Sequence, residues 1–354
     1  MYSQEDLNSA VSAGAISADA ADALRAHVAA QRDAVPADAE HFRLITGFND
    51  IFVSIGVDIM LVAMAAIGDA IWSNENGPSP VSGLLVAATA WILAEFFTAK
   101  RRMALPSILL LLGYVGGIFI GLMGLAVALV EGGPDGENAT LAVLLIAAAG
   151  LITAGAAWLH WRRFMVPITI AAGAAALSAT AIALIMAAIG PNAASAETII
   201  LAPVFVVGLV IFAFAMRWDM SDLPRETRRS DVAFWLHLLA APMIAHPVFA
   251  LIGVTDGDNI GAGAAIAVLA VYVAFGLVAL AVDRRALLVS ALAYVLIALT
   301  YLFREFGAVE LNFALTALVI GSALLTLSAL WTPIRKAIVA ALPGDVRGRL
   351  PATT

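Results

Sequence analysis

The stretch from Ala99 to Val130, AKRRMALPSILLLLGYVGGIFIGLMGLAVALV, decides the fold class of this chain. Its basic start, Lys100 to Arg102, precedes the apolar run 104–130, which contains no charged residue. A helix needs roughly 20 apolar residues to cross the hydrocarbon core of a bilayer, because each residue adds about 1.5 Å to its length. The run is therefore long enough to span a membrane, with its basic start held at one surface.

The same combination of basic connection and apolar run recurs along the chain. Of the 19 Lys and Arg residues, all except Arg304 lie in alternate connections or beyond the first and last runs. This positive-inside pattern predicts an all-α, polytopic helical protein of the bacterial inner membrane, with about ten transmembrane helices and both termini in the cytoplasm. The predicted spans are 50–72, 80–99, 104–130, 139–160, 164–189, 198–216, 232–254, 260–281, 286–303 and 311–332.

Composition supports a membrane environment and excludes several kinds of site. Hydrophobic residues make up 62% of the chain and charged residues 13%, against roughly 45–50% and 25% in soluble domains. Membrane lipids are therefore expected to contact much of the surface. The acidic residues behind the net charge of -7 concentrate in the N-terminal segment and the predicted external loops, so no nucleic-acid binding is expected. The absence of cysteine excludes disulfides, thiolate catalysis and Cys-ligated metals.

The sequence predicts three segments. Residues 1–44 form a cytoplasmic helical hairpin, in which Gly14 ends a first short helix and Ser17 caps a second. This segment has no basic stretch followed by an apolar one, so no cleavable signal peptide is expected. Residues 45–332 form the ten-span bundle. Residues 333–354 form a basic amphipathic tail, which either lies on the cytoplasmic membrane surface or stays solvated.

Ionisable side chains inside the predicted spans are the candidate functional residues, because inserting one costs roughly 2.5–3.5 kcal/mol. This interior polar set consists of Asp58, Glu95, His237 and His246. If Asp58 and His246 are functional, they are predicted to face a common polar cavity between the first and seventh spans and to exchange a proton there. Glu95 either meets Asp58 or extends to water, and the alternative for the two histidines is bonding to neighbouring helices. His160 lies at a span end, where water is expected to reach it.

The seventh predicted span contains two prolines, Pro242 and Pro247. A proline lacks the N–H that would bond the carbonyl four residues earlier, here those of Leu238 and Met243. These prolines are therefore predicted to break or kink the helix, as in transporters that build midplane sites from broken helices. The alternative is a kinked helix that serves packing alone.

Glycines recur at every fourth position of the third predicted span, at Gly113, Gly117 and Gly121. Such a strip lets another backbone approach closely. It predicts helix packing, either within the chain or between two copies, and no chemistry.

Motifs of nucleotide and metal enzymes are absent from the sequence. It contains no phosphate-binding loop, no dinucleotide fingerprint and no His pair in a metal-binding helix motif. No catalytic residue, metal or cofactor is therefore predicted, and the chain is not expected to be an enzyme.

Two short blocks carry a resemblance to known proteins. The pattern Gly-x-Ile-Ser-x-x-x-Ala-x-x-Leu, from Gly14 to Leu24, resembles the lead-in of several uncharacterised bacterial multi-span membrane protein families. The block RRSDVAFWLHLLAAP, from Arg228 to Pro242, is similar to a stretch of uncharacterised alphaproteobacterial membrane proteins. The resemblance implies a multi-span fold and no established activity.

Two functions are compatible with these features. The favoured one is a transporter or proton-linked permease that uses the interior polar set. The alternative is a non-catalytic membrane scaffold or regulatory protein, which binds partners through its N-terminal hairpin and the loop 217–231. A second copy and a cytoplasmic protein are both open as partners.

Overall fold

The computed structural model describes residues 9–24, 48–74, 77–130, 138–190, 196–223, 225, 227–254, 261–305, 311–348 and 350–351. All regular secondary structure in these residues is helical, and ten helices are long and apolar enough to cross a membrane. The predicted class, an all-α polytopic membrane protein, is confirmed. The spans are α1 (Phe48–Ile71), α2 (Pro80–Phe97), α3 (Ala104–Leu129), α4 (Ala139–Phe164), α5 (Ile168–Ile189), α6 (Leu201–Met220), α7 (Arg228–Leu251), α8 (Ala262–Val282), α9 (Ala286–Glu305) and α10 (Asn312–Ala329). A further helix, α11 (Trp331–Ala341), follows the last span.

The N-terminal segment contains two short helical stretches, at 9–12 and 18–24. Gly14 lies between them with a left-handed φ of 69°. The Ser17 hydroxyl accepts a hydrogen bond of 3.1 Å from the backbone N–H three residues later, as a helix cap does. Both turn residues therefore have the predicted geometry. The remainder of the predicted hairpin, 25–44, lies outside the described residues.

The ten spans belong to one compact unit, Arg43–Thr353, and pack largely on their neighbours in sequence. α1 contacts α2 and α3, α4 pairs with α5, and α6 pairs with α7. α7 also contacts α5 and α9, and it is the most buried of the spans. Because successive spans run in opposite directions, the connections that carry Arg pairs share one end of the bundle. We call this end the basic side.

Three spans extend four residues further at the basic side than their apolar runs predict, and one of them, α7, begins early at Arg228. α4 and α6 end four residues late, at Phe164 and Met220, because Arg is a good helix former and water solvates its charge. α5 begins four residues late, at Ile168. The turn between α4 and α5 includes Met165 in a left-handed conformation, with φ 53°.

The glycine strip of α3 packs directly against α2. A Cβ atom at Gly117 would lie 2.6 Å from the carbonyl oxygen of Gly83 and 2.8 Å from the backbone nitrogen of Ala87. Gly121 also meets the α2 backbone, whereas Gly113 meets a leucine side chain of α1. Only glycine fits at Gly117, because a side chain there would overlap the neighbouring backbone. The strip therefore serves packing within the chain.

α7 is one continuous helix through Pro242 and Pro247. The predicted helix break does not occur. Contacts with α5, α6 and α9 surround this helix and hold it together although two backbone hydrogen bonds are missing.

The first part of the predicted tail packs on the bundle. Trp331 is buried in a cluster with Ala279, Leu280 and Leu288, and Arg335 is buried one turn further on. α11 thereby docks on α8 through the face that carries Trp331, Arg335 and Val339, while Lys336 on its other face is exposed.

Candidate functional site: a buried ionic network

A buried ionic network lies at the basic side, where α6, α7 and the connection between α8 and α9 meet. Its centre is Asp219, in the last turn of α6. One carboxylate oxygen accepts hydrogen bonds from His237 Nε2 at 2.9 Å and from Arg284 Nε at 3.3 Å, and the other accepts from Arg284 Nη2 at 2.6 Å. The side chains of Asp219, His237 and Arg284 are 1%, 2% and 4% exposed. The three side chains therefore bond to one another while almost completely buried from solvent.

Helical periodicity places Asp219 on the inner face of α6. Gly208, Ile211 and Ala215 precede it at helical spacing, and all are buried. Asp219 is the polar end of this otherwise small and apolar stripe. The same geometry directs His237 inward from α7, where its ring meets the ring of Phe212 edge-on, with centroids 5.0 Å apart.

A sharp turn after α8 positions Arg284. Asp283 takes a left-handed conformation there, with φ 60°, and ends the helix. The chain then redirects the Arg284 side chain into the bundle, where its Nη2 also donates to the carbonyl oxygen of Ser230 at 3.1 Å. The guanidinium therefore joins α6 and the first turn of α7.

Asp283 is the centre of a second, adjoining group. One oxygen accepts a hydrogen bond from Arg225 Nη1 at 2.8 Å, and the other accepts from Trp331 Nε1 at 2.7 Å. Arg335 Nε lies 3.5 Å from the latter oxygen, and Arg335 Nη2 donates to the carbonyl oxygen of Pro351 at 2.6 Å. This second group ties the end of α8 to α11 and to the chain beyond it.

Burial disfavours the charges of the two guanidinium groups around Asp283. Burial lowers the pKa of Arg225, nearby Arg284 lowers it further, and Asp283 and Asp219 raise it. Burial also lowers the pKa of Arg335, and Asp283 raises it. Arginine nevertheless stays protonated in proteins. The two carboxylates therefore compensate permanent charges, and removing either one leaves a buried cation behind.

His237 has little open space around it. A cleft beside His237 and Arg284, lined by Phe212, Val278 and Leu287, is too narrow to hold a water molecule. A buried imidazole between a carboxylate and such a cleft suits a fixed structural role better than repeated proton exchange.

His246 belongs to a separate pair on the other half of α7. Its Nδ1 lies 2.7 Å from the hydroxyl oxygen of Tyr294 on α9, at hydrogen-bond distance. His246 is exposed and Tyr294 is half-buried. This contact is the bond between neighbouring helices that the sequence left open as an alternative.

Glu95 pairs with a base instead of meeting Asp58. Arg163 Nε donates to Glu95 Oε1 at 3.0 Å, and both side chains are partly exposed at the basic side. The guanidinium of Arg163 attracts the carboxylate, whereas a second carboxylate would repel it. Of the two alternatives for Glu95, the structure shows a partly exposed side chain bonded to Arg163 and no hydrogen bond between Glu95 and Asp58.

The structure does not bring Asp58 and His246 together. Asp58 is exposed on α1, which packs on α2 and α3, whereas His246 lies on α7 and bonds to Tyr294. No two members of the interior polar set share a hydrogen bond or ion pair. The predicted proton relay consequently has no geometric basis.

His160 is fully buried, although the sequence placed it within reach of water. It lies among the rings of Trp91, Tyr114 and Phe164, and its Nδ1 is 3.3 Å from the Thr169 hydroxyl oxygen. The difference arises because α4 continues to Phe164, which leaves His160 one turn inside the helix. Among the described residues, its Nε2 finds no hydrogen-bond partner.

Sequence reasoning missed most of the network. It included His237 but not Asp219, Arg225, Asp283 or Arg284. The position of Asp219 on the inner stripe of α6 is a signal that could have identified it. Arg284 gave no such signal, because Arg pairs are expected at every connection on the basic side.

Comparisons with known proteins add no functional information, so a functional conclusion rests on the geometry of the network. The resemblance of the blocks Gly14–Leu24 and Arg228–Pro242 to bacterial membrane protein families stays a prediction. No protein-family model, no curated protein and no solved structure matches the chain.

Proposed function

We propose that this multi-pass membrane protein is a non-catalytic scaffold or regulatory protein of the bacterial inner membrane. The observation that carries the proposal is the closed network of Asp219, His237 and Arg284. All three side chains are almost fully buried, and they bond to one another. A scaffold must hold its partner-binding segments in constant positions, and this network holds α6, α7 and the connection between α8 and α9 together at the basic side.

The network is a poor carrier of ions or protons. A transport path requires polar groups that exchange partners with water or substrate, usually in a cavity near the midplane. Asp219 is instead held by hydrogen bonds from two side chains, and the cleft beside them excludes water. The geometry therefore favours a static role over a permeation pathway.

One observation favours a second candidate, a proton-linked permease. His246 is exposed, bonds to Tyr294 and lies between Pro242 and Pro247 on α7. An ionisable residue inside a span is a functional candidate, and the two prolines remove backbone hydrogen bonds beside it.

Proton flux into proteoliposomes separates the two candidates. A pH-sensitive dye inside the vesicles would report flux after an imposed pH step. The scaffold proposal expects the same rate as in protein-free vesicles. A faster flux that His246→Gln abolishes, in a variant with unchanged thermal unfolding, would replace the scaffold with the permease.

The orientation of the bundle is part of the same proposal. The distribution of Lys and Arg supports a cytoplasmic basic side. We expect reporter fusions after Asn76 and Gly136 to report the periplasm, and fusions after Arg102 and Arg225 to report the cytoplasm. A stable fusion after Arg102 with periplasmic phosphatase activity would contradict the orientation.

A further inference from the structure

α1 carries a carboxylate on its outer surface. Asp58 is exposed, and no hydrogen bond or ion pair joins it to any described residue. It lies ten residues after Phe48, about 15 Å along the helix at 1.5 Å per residue, and thus near the middle of the span. The described spans therefore leave this acid uncovered at mid-span.

The surface around Asp58 is apolar, and none of the described spans covers it. Ile55, Ile59 and Val62 are each at least 55% exposed, whereas the buried side of α1, which includes Val57, faces the rest of the bundle. Ile55, Asp58 and Val62 follow one another at intervals of three and four residues, the spacing of a helix–helix seam. We call this surface the α1 outer face.

A second acid continues the seam. Asp69 is exposed, lies eleven residues beyond Asp58, and is displaced by about 16 Å along the helix and about 20° around it. The α1 outer face therefore has two carboxylates and no basic residue along its length.

Charge decides what can cover this face. Lipid tails leave the Asp58 carboxylate unpaired, which is unfavourable in the membrane interior. A second copy related by a two-fold axis at this helix would set each acid beside its own counterpart, and like charges oppose such pairing. A helix that presents a cation at the same depth satisfies the charge and packs on the apolar residues.

We propose that the α1 outer face binds a transmembrane helix of another membrane protein, and that this helix carries Lys or Arg at the depth of Asp58. The proposal rests on the scaffold function and names the class of its partner. Asp58 supplies the charge contact at mid-span, and the apolar residues beside it supply the packing surface.

Model helices provide a direct test, because the chain contains no cysteine and accepts single labels. Ile55→Cys would carry a nitroxide label on the α1 outer face, and Val289→Cys would carry the control label on α9, where Val289 is 64% exposed. The full chain in liposomes would be titrated with a Leu/Ala helix of about 24 residues that has one central Arg. A matched helix with Leu at its centre is the second probe.

The Arg helix should reduce the oxygen accessibility of the label at Ile55 and leave the label at Val289 unchanged, while the Leu helix should change neither. Asp58→Asn, which keeps the side-chain size, should weaken binding of the Arg helix about tenfold. Binding of neither helix, equal binding of both, or an unchanged affinity after Asp58→Asn would overturn the proposal. Disulfide cross-linking of two Ile55→Cys chains without added helix would assign the face to a second copy. None of these results depends on proton flux, so the scaffold function is tested separately.

Discussion

Gly117→Leu is expected to prevent stable packing of α2 on α3 and to lower the free energy of unfolding by about 3 kcal/mol or more. A Cβ atom at this position already lies 2.6 Å from the Gly83 carbonyl oxygen and 2.8 Å from the Ala87 nitrogen. Backbone atoms of a packed helix cannot move aside as a flexible side chain can. The larger branched side chain must therefore separate the two helices, and thermal unfolding in detergent would measure the loss.

Gly116 provides a matched control on the same helix. No heavy atom lies within 4 Å of a Cβ atom built there. Gly116→Ala should therefore leave stability unchanged or raise it by up to about 1 kcal/mol, because alanine is the better helix former. Gly117→Ala should lower stability by about 1–3 kcal/mol. Equal unfolding temperatures for the two alanine variants would show that α2 and α3 do not meet at Gly117.

Asp219→Leu should lower the free energy of unfolding by about 3–5 kcal/mol, since removing one partner of a buried pair leaves the other charge uncompensated. Arg284 would keep its charge and lose both hydrogen bonds to the carboxylate. Chemical or thermal unfolding of the purified protein would give the difference.

Removing both charges tests whether this loss comes from the unpaired guanidinium. Asp219→Leu combined with Arg284→Met should recover most of the stability, because apolar replacement of a whole buried pair is often close to neutral. The exposed pair of Glu95 and Arg163 is the control: Glu95→Gln should cost less than about 1 kcal/mol. A double variant no more stable than Asp219→Leu alone would contradict the assigned cause.

The fold was largely predictable because the apolar composition of stretches of about 20 residues is enough to identify membrane spans. The predicted boundaries differ from the helices by at most four residues, as at Phe164 in place of 160. These differences fall where the chain leaves the membrane, because polarity there no longer distinguishes helix from turn. The prolines of α7 left a break and a kink both open, and the continuous helix excludes only the break. The neighbouring helices that hold α7 together are not visible in sequence.

The candidate site was much less predictable, because contacts between distant spans determine it. Asp58 and His246 are both ionisable residues within predicted spans, which made both of them candidates for the bundle interior. Asp58 lies instead on the outside of α1, and His246 bonds to Tyr294 of α9. The pairing of Asp219 with Arg284 joins residues 65 positions apart. Such a pair follows from the packing order of α6, α7 and α8, which hydrophobic periodicity does not specify.

The dependence of Asp283 on α11 has a consequence for biosynthesis. Synthesis proceeds from the N-terminus, so Asp283 is already in place before the ribosome reaches Trp331 and Arg335. Until those residues emerge, its carboxylate lacks two of the partners that it has in the finished protein. A chain that stops before Trp331 would leave this carboxylate incompletely paired and accessible to proteases on that side of the membrane, whereas docking of α11 buries it. Docking of α11 thus distinguishes a finished protein from an aborted one.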